Sequence, residues 1–167
     1  MMRALPPLAA RFLRDRTAAA AAEMALVLPL LMTLLFGAFE AGNYFWNEHI
    51  VIKAVRDGAR FAGRQSFSKY SCSTVDPTVE TEIKNLTRTG ALSGGTPRIA
   101  GWTDDDVTVS ISCSAATTDG IYRDMAGGAP RVTVSAVVPY TALFGLVGFD
   151  TKDITIAAEA NSPVMGL

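Results

Sequence analysis

Residues 24–39 read MALVLPLLMTLLFGAF without a charged side chain, and after Glu40 the chain continues as AGNYFW to residue 46. As a helix, residues 24–46 would extend roughly 34 Å, against roughly 30 Å for the hydrocarbon core of a bilayer. The stretch therefore predicts one transmembrane helix that accommodates Glu40. Two alternatives are a soluble protein with one buried helix and a cleaved secretory signal. The run is longer than a typical signal core, and no small-x-small cleavage site followed by a polar start is evident at its end.

The residues that flank the apolar run predict its orientation. Four arginines precede it, opposed only by Asp15, and three aromatic residues follow it: Arg3, Arg11, Arg14 and Arg16, then Tyr44, Phe45 and Trp46. Positive residues favour the cytoplasmic side, and aromatic residues favour a membrane interface. We therefore expect the N-terminus in the cytoplasm and everything after about residue 47 outside it.

Composition and motifs argue against several functional classes. The 167 residues have mean hydropathy +0.25 and net charge -1, with 15 basic and 16 acidic residues, so nucleic acid is not an expected partner. One histidine and two cysteines are too few for a histidine–cysteine metal cluster within one protomer. We interpret His49 as an interfacial residue and Asp104–Asp106 as a solvated turn. No catalytic motif is found, so we expect no enzymatic activity, cofactor, metal or small-molecule substrate.

Cys72 and Cys113 are the only cysteines, and both fall in the segment placed outside the cytoplasm. Oxidising compartments favour disulfide bonds, so we predict a bridge between them. Two free buried thiols are the alternative.

Beyond the membrane the sequence predicts an α+β head. Residues 47–64 contain no proline and continue the helical pattern as an amphipathic stem. Asp76-Pro77 begins a short helix that ends near Gly90. Three segments that start at Val107, Val132 and Ile154 alternate apolar and small or polar residues, which predicts an antiparallel sheet covered on one face by the stem. The predicted segments are a leader (1–18), a transmembrane helix (19–46), a stem (47–64) and a head (65–167).

Small residues before the apolar run suggest a processing site. Thr17–Ala22 are all small, so a peptidase could bind this backbone in an extended form. A cut after Ala18 would leave the new amine of Ala19 four residues before Glu23, on one helical face, where it could neutralise the carboxylate within one chain or across neighbouring chains. The alternative is that Glu23 reaches the inner membrane interface.

The far half of the apolar run carries small residues around an acidic one. Gly37/Ala41 and Ala38/Gly42 have small-xxx-small spacing, which lets helices pack closely and lets Glu40 find an interhelical donor. The alternative is that Glu40 reaches the outer headgroups. Pro29 removes one backbone hydrogen bond and should kink or loosen the helix.

The stretch RFLRDRTAAAAAEMALVLPLLMTLLFGAFEAGNYFW, with AVRDGARFAG after it, resembles the N-terminal module of TadE/TadF-type proteins of bacterial tight-adherence (Flp) pilus systems. The resemblance covers roughly residues 11–64. It implies a pilin-like minor subunit (a pseudopilin) or assembly factor, held in the inner membrane with a periplasmic head. A prepilin peptidase would cut before the membrane run and leave Glu23 at the fifth position. Ala18 stands where the family usually has glycine.

Our hypothesis is therefore a non-enzymatic membrane protein of pilus assembly and cell adhesion, whose partners are the inner membrane, other pilus subunits and assembly proteins, and a prepilin peptidase. It could also be incorporated in the pilus. The alternative function is a single-pass, membrane-anchored periplasmic binding or sensor module. The apolar loop at residues 140–149 is a candidate contact for a partner or for the membrane surface, or else folds back on the core.

Overall fold

A computed structural model describes residues 16–114, 119–123, 125, 127–145 and 154–166. Two compact units divide the chain, Met1–Ala41 and Gly42–Leu167. One long helix, α1 (Arg16–Gly63), contributes to both units. The predicted continuation of the membrane segment into a stem helix is therefore confirmed. The segment boundaries at residues 18, 46 and 64 stay predictions, and most of the leader lies outside the described residues.

In the first unit, α1 exposes apolar side chains around its whole circumference. Every residue from 19 to 35 is exposed, and Leu26 retains 80% of its accessible surface. The helix continues through Pro29, which lies inside it. Thr33 Oγ1 donates a hydrogen bond to the Pro29 carbonyl at 2.8 Å, so this hydroxyl is satisfied within its own helix.

The second unit contains a three-stranded antiparallel sheet in the order β1 (Val107–Cys113), β2 (Pro130–Pro139), β3 (Thr155–Pro163). Val109 of β1 lies opposite Val134 of β2, which in turn lies opposite Ala160 of β3. All three predicted strands and their antiparallel pairing are confirmed, and the fold class is α+β as expected.

The two faces of the sheet differ as the alternation predicts. Alternate residues of the central strand are buried from Val132 to Val138, and Ile156 of β3 is buried on the same face. The opposite face carries mainly hydroxyl, amide and charged side chains, namely Thr108, Ser110, Ser112, Arg131, Thr133, Ser135, Glu159 and Asn161. One face thus belongs to the core.

The stem part of α1 packs into this core. Its buried apolar residues are Val51, Ala54, Val55, Ala59 and Ala62. At Gly58 the backbone comes so close to its neighbours that an added Cβ would lie 3.6 Å from Val134 Cγ1 and would overlap Thr87 Oγ1. Gly58 therefore permits α1 to approach the sheet and a second helix at one point.

The second helix, α2 (Pro77–Thr89), begins and ends with the signals that its sequence carries. The Asp76 carboxylate accepts hydrogen bonds from the backbone N–H groups of Thr78 and Val79, and Gly90 ends the helix at φ 84°. The pKa of Asp76 lies below its ordinary value. The largest cause is the hydrogen bond from Lys69, and the next is the hydrogen bond from the backbone N–H of Thr78. The predicted helix is confirmed.

The C-terminal end of α1 is held by distant parts of the chain. Tyr70 donates its hydroxyl proton to the Ala62 carbonyl at 2.8 Å, and the Met165 N–H donates to the Gly63 carbonyl at 2.7 Å. Helix-end carbonyls lack partners within the helix, so these bonds satisfy groups that would otherwise need water. Burial raises the pKa of Tyr70 to about 12.

Candidate functional site

The apolar part of α1 is the first candidate functional element. In the described part of the chain, one helix, Ala19–Gly63, is long and apolar enough to cross a membrane. None of its most apolar 18-residue window is buried against the rest of the protein. In water this exposure would be costly, whereas lipid chains would cover the same side chains favourably.

The proposed processing residues lie at the start of this helix. Ala19 and Glu23 are both exposed, one helical turn apart, as the hypothesis of a shared face requires. Residue 18 belongs to the helical backbone of α1, while the arginines at positions 3, 11 and 14 lie outside the described residues. Cleavage and the pairing of Glu23 with an N-terminal amine stay predictions.

The small residues of the membrane segment leave space beside the helix. Added Cβ atoms at Gly37 and Gly42 would meet nothing within 4 Å, and Ala41 is exposed. Glu40 differs from its neighbours because only 9% of its surface is accessible. A contact of this surface with another helix stays a prediction.

The disulfide between Cys72 and Cys113 is confirmed. Its sulfur atoms lie 2.12 Å apart, and it joins the loop after α1 to the last residue of β1. Gly127, at φ 100°, lies over the bridge, because a Cβ there would come within 2.7 Å of Cys72 Sγ. The bond fixes the loop after the stem to the sheet.

One end of the sheet is attached to the beginning of the stem. Asn43 Nδ2 donates to the Tyr140 hydroxyl oxygen at 2.9 Å, and the rings of Tyr44 and Tyr140 meet edge to face at 5.3 Å. Asn47 Nδ2 in turn donates to the Asn43 carbonyl at 2.9 Å. Asn43, Asn47 and Tyr140 line an open cavity of about 330 Å³, and Arg98, Ile99 and Leu143 are among its other lining residues.

The apolar loop predicted at residues 140–149 is only partly described. Tyr140 is buried and Ala142 is half-buried, whereas the Leu143 side chain is exposed. The start of the segment therefore folds onto the head, and one of its apolar side chains faces outward. Residues 146–149 lie outside the described part of the chain.

The acidic run at residues 104–106 has a local structural use. Asp106 accepts hydrogen bonds from the Thr103 backbone N–H at 2.7 Å and from its hydroxyl at 2.8 Å, and Asp104 forms an ion pair with Arg88 at 2.6 Å. The run forms one turn of 3-10 helix directly before β1. This agrees with the interpretation of these residues as a turn.

Two core residues were not anticipated from the sequence. Trp102 follows a glycine-rich loop yet is only 1% exposed, and Thr87 is fully buried against Gly58. The spacing of four from Val79 through Ile83 to Thr87 was a signal for the second of these residues. Thr87 was not predicted to be buried because its side chain is polar. In the structure its hydroxyl donates a hydrogen bond to the Ile83 carbonyl at 2.8 Å, which allows the burial.

Fold and sequence together define a class: a chain with one candidate membrane helix near its N-terminus that continues into the stem of a small, disulfide-bonded α+β head. The family model described as TadE-like protein matches residues 18–60, within α1, which confirms the resemblance seen in the sequence. No curated protein and no solved structure matches the chain. The family match and the candidate membrane helix point to a membrane protein associated with Tad pili.

Proposed function

We propose that the protein is a pilin-like membrane subunit or assembly factor of a bacterial Flp/Tad pilus, with no enzymatic role of its own. The observation that carries this proposal is the TadE-like match over residues 18–60, because the same residues form the exposed apolar helix. The head would lie in the periplasm, where an oxidising environment maintains the Cys72–Cys113 bond. The inner membrane and other pilus components are the partners that this placement requires.

Processing by a prepilin peptidase would convert the chain into its assembly form. Cleavage between Ala18 and Ala19 removes the basic leader and creates an ammonium group one helical turn before Glu23. Near hydrocarbon, an unpaired carboxylate costs roughly 3 kcal/mol on insertion scales, so pairing it with an amine of the same or a neighbouring chain favours one register between helices.

Lateral packing would then use the small residues further along the helix. Gly37 and Ala41 leave a surface that a second helix can approach closely, and Glu40 lies beside them in the sequence. The Thr33 hydroxyl donates a hydrogen bond to the Pro29 carbonyl, so this polar side chain can remain in an apolar environment. We infer that Gly37 and Ala41 contact other pilus subunits in the membrane.

The test combines mass spectrometry with mutagenesis in a strain that carries the pilus genes. Protein extracted from membranes should begin within residues 18–20, and an intact leader would contradict processing and favour a membrane-anchored sensor module. Glu23→Ala should insert normally but lose piliation and co-purification with pilus subunits. Glu159→Ala, on the exposed face of the sheet, is the matched control and should have no effect. Normal pili in the Glu23→Ala strain would remove the proposed role of this glutamate.

A further inference from the structure

The exposed side of the stem carries only basic residues. Five residues of the stem are exposed, and they are His49, Lys53, Arg56, Arg60 and Arg64. Their spacings of four, three, four and four place them along one face of the helix. We call Lys53, Arg56, Arg60 and Arg64 the basic stripe. From its first residue to its last, the stripe rises about 16 Å along the helix axis.

The charges of the basic stripe are not compensated by the head. In the described part of the chain, each ion pair has its cation outside the stripe: Lys69–Asp76, Lys84–Glu80, Arg88–Asp104 and Arg98–Asp57. The last of these pairs engages the one acid that lies between residues of the stripe. Asp57 is half-buried, and its carboxylate lies 3.5 Å from the Arg98 guanidinium of the head. The stripe therefore directs an uncompensated positive charge toward solvent.

The stability of the stem does not require this arrangement. Cations in the last turn of a helix interact favourably with the helix dipole, which explains Arg60 and Arg64, because α1 ends at Gly63. Lys53 and Arg56 lie before the last turn, where this effect has faded. Like charges three or four residues apart also repel one another on a helix. A partner of opposite charge would remove that repulsion.

The environment of the stripe favours a protein over a lipid surface. A basic helix that binds lipid buries an apolar face in the bilayer beside its cations. The apolar face of the stem is already covered, because Val51, Ala54 and Val55 are fully buried in the core of the head. Half-buried Ile52 and Phe61 flank the stripe, so its charges form a single file. One row of carboxylates on a protein matches such a file.

The spacing of the stripe indicates a helix as the source of those carboxylates. A helix with Asp or Glu at three- and four-residue intervals presents one acidic row on one face. Neither α1 nor α2 carries such a row. The acids of α1 are at least eight residues apart, at positions 23, 40, 48 and 57, and those of α2 are Glu80 and Glu82, which point to different sides. Helices of a second copy therefore do not match the stripe.

We propose that the basic stripe is the docking surface for an acidic helix of a different protein. Ion pairs along the row fix the position of that helix along the stem and exclude partners whose exposed face is basic. This contact is separate from the packing of small residues in the membrane segment. That the partner belongs to the pilus assembly rests on the proposed function, whereas its acidic character rests on the stripe alone.

Site-specific photo-crosslinking of the full chain, in a strain that carries the pilus genes, tests this proposal. Benzoylphenylalanine is placed at position 60 or, as a control, at position 131. Both parent residues are exposed arginines, and Arg131 lies on the face of the sheet opposite to the core. We expect position 60 to capture a helix of another protein with Asp or Glu at three- and four-residue intervals. Position 131 should not capture it.

Charge reversal then shows whether the acids of the captured helix contact the stripe. Arg60→Glu should reduce co-purification of the captured protein at least about tenfold, because like charges replace an ion pair. Arg131→Glu is the matched control and should have no effect. Lysine in place of the facing acid of the captured helix should restore binding to Arg60→Glu. Each variant should retain the Cys72–Cys113 bond, which verifies that the head has folded.

Several results would overturn the inference: no adduct at position 60, an adduct with phospholipid, a second copy or a segment without the acidic row, or undiminished co-purification of Arg60→Glu. The Glu23→Ala strain separates this failure from failure of the proposed function. If Glu23→Ala loses piliation while Arg60→Glu binds its partners normally, only the present inference falls. If position 60 captures an acidic helix of a protein that has no role in pili, the docking surface stands and the proposed function is contradicted.

Discussion

The close approach of α1 to α2 at Gly58 gives a sharp prediction about stability. In Gly58→Ala the new Cβ would overlap Thr87 Oγ1 and would touch Val134 Cγ1 at 3.6 Å. Thr87 is fully buried, and its hydroxyl is bonded to the Ile83 carbonyl at 2.8 Å, so the side chain cannot turn away without losing that bond. We therefore expect the substitution to destabilise the head although alanine is the better helix former.

The expected magnitude follows from two opposing effects. Overpacking a well-packed core lowers the free energy of unfolding by about 1–3 kcal/mol, whereas replacing glycine by alanine within a helix raises it by about 1 kcal/mol. With a mid-range cost of about 2 kcal/mol, Gly58→Ala should therefore lower the free energy of unfolding by about 1 kcal/mol. Thr87→Ala alone should cost about 1 kcal/mol through the cavity that it leaves.

The double variant separates this mechanism from general disruption. With Thr87→Ala present, the nearest remaining atom is Cβ of residue 87 at 3.5 Å, an ordinary contact. Gly58→Ala/Thr87→Ala should then be close to wild type, which corresponds to a coupling free energy of about 2 kcal/mol. Thr87→Ser keeps the overlapping oxygen and should not rescue Gly58→Ala.

The assay is denaturant unfolding of the full chain in detergent, followed by Trp102 fluorescence in a Trp46→Phe background. Gly42→Ala is the control for helix propensity, because its Cβ would meet nothing within 4 Å. The stability of that variant should be equal to wild type or higher. A Gly58→Ala protein as stable as wild type, or a double variant whose losses simply add, would refute the packing described here.

Two further predictions concern the head. Alkylation without reductant should find no free thiol, and Cys72→Ser/Cys113→Ser should lose up to about 4 kcal/mol because the unfolded chain is no longer closed at a separation of 41 residues; two readily modified cysteines in the native protein would contradict the bridge. Burial raises the pKa of Tyr70 from 10.0 to about 12, so the folded state holds the phenol proton more tightly than the unfolded state does. The contribution of this proton to the free energy of unfolding is therefore complete below pH 10 and decreases as the pH rises toward 12. Ultraviolet titration should show one tyrosine that ionises near pH 12 and disappears in Tyr70→Phe, and an unchanged titration in that variant would exclude the assignment.

Local signals in the sequence predicted the elements of the head well. Asp76-Pro77 and Gly90 bounded α2 correctly, since capping depends on residues adjacent in the chain. The alternation beginning at Val107 and Val132 predicted both strand positions and buried faces, because the side-chain period of a strand is fixed by its backbone.

Contacts between distant segments were not predictable in the same way. Buried Thr87 opposite Gly58 follows from how two helices meet, and no periodicity in either helix specifies that partner. The attachment of Met165 to the Gly63 carbonyl likewise joins residues far apart in sequence. For the candidate site, the sequence predicted the apolar helix and the disulfide, whereas the Asn43–Tyr140 attachment at the base of the head required the tertiary structure.

The central claim is that the apolar part of α1 crosses the inner membrane with its arginine-rich end inside and the head outside. Fusions of alkaline phosphatase and of green fluorescent protein to the C-terminus measure this orientation most directly. We predict an active phosphatase and a dark fluorescent protein, because only the phosphatase matures in the periplasm. A fluorescent fusion with an inactive phosphatase would place the head in the cytoplasm and contradict the account.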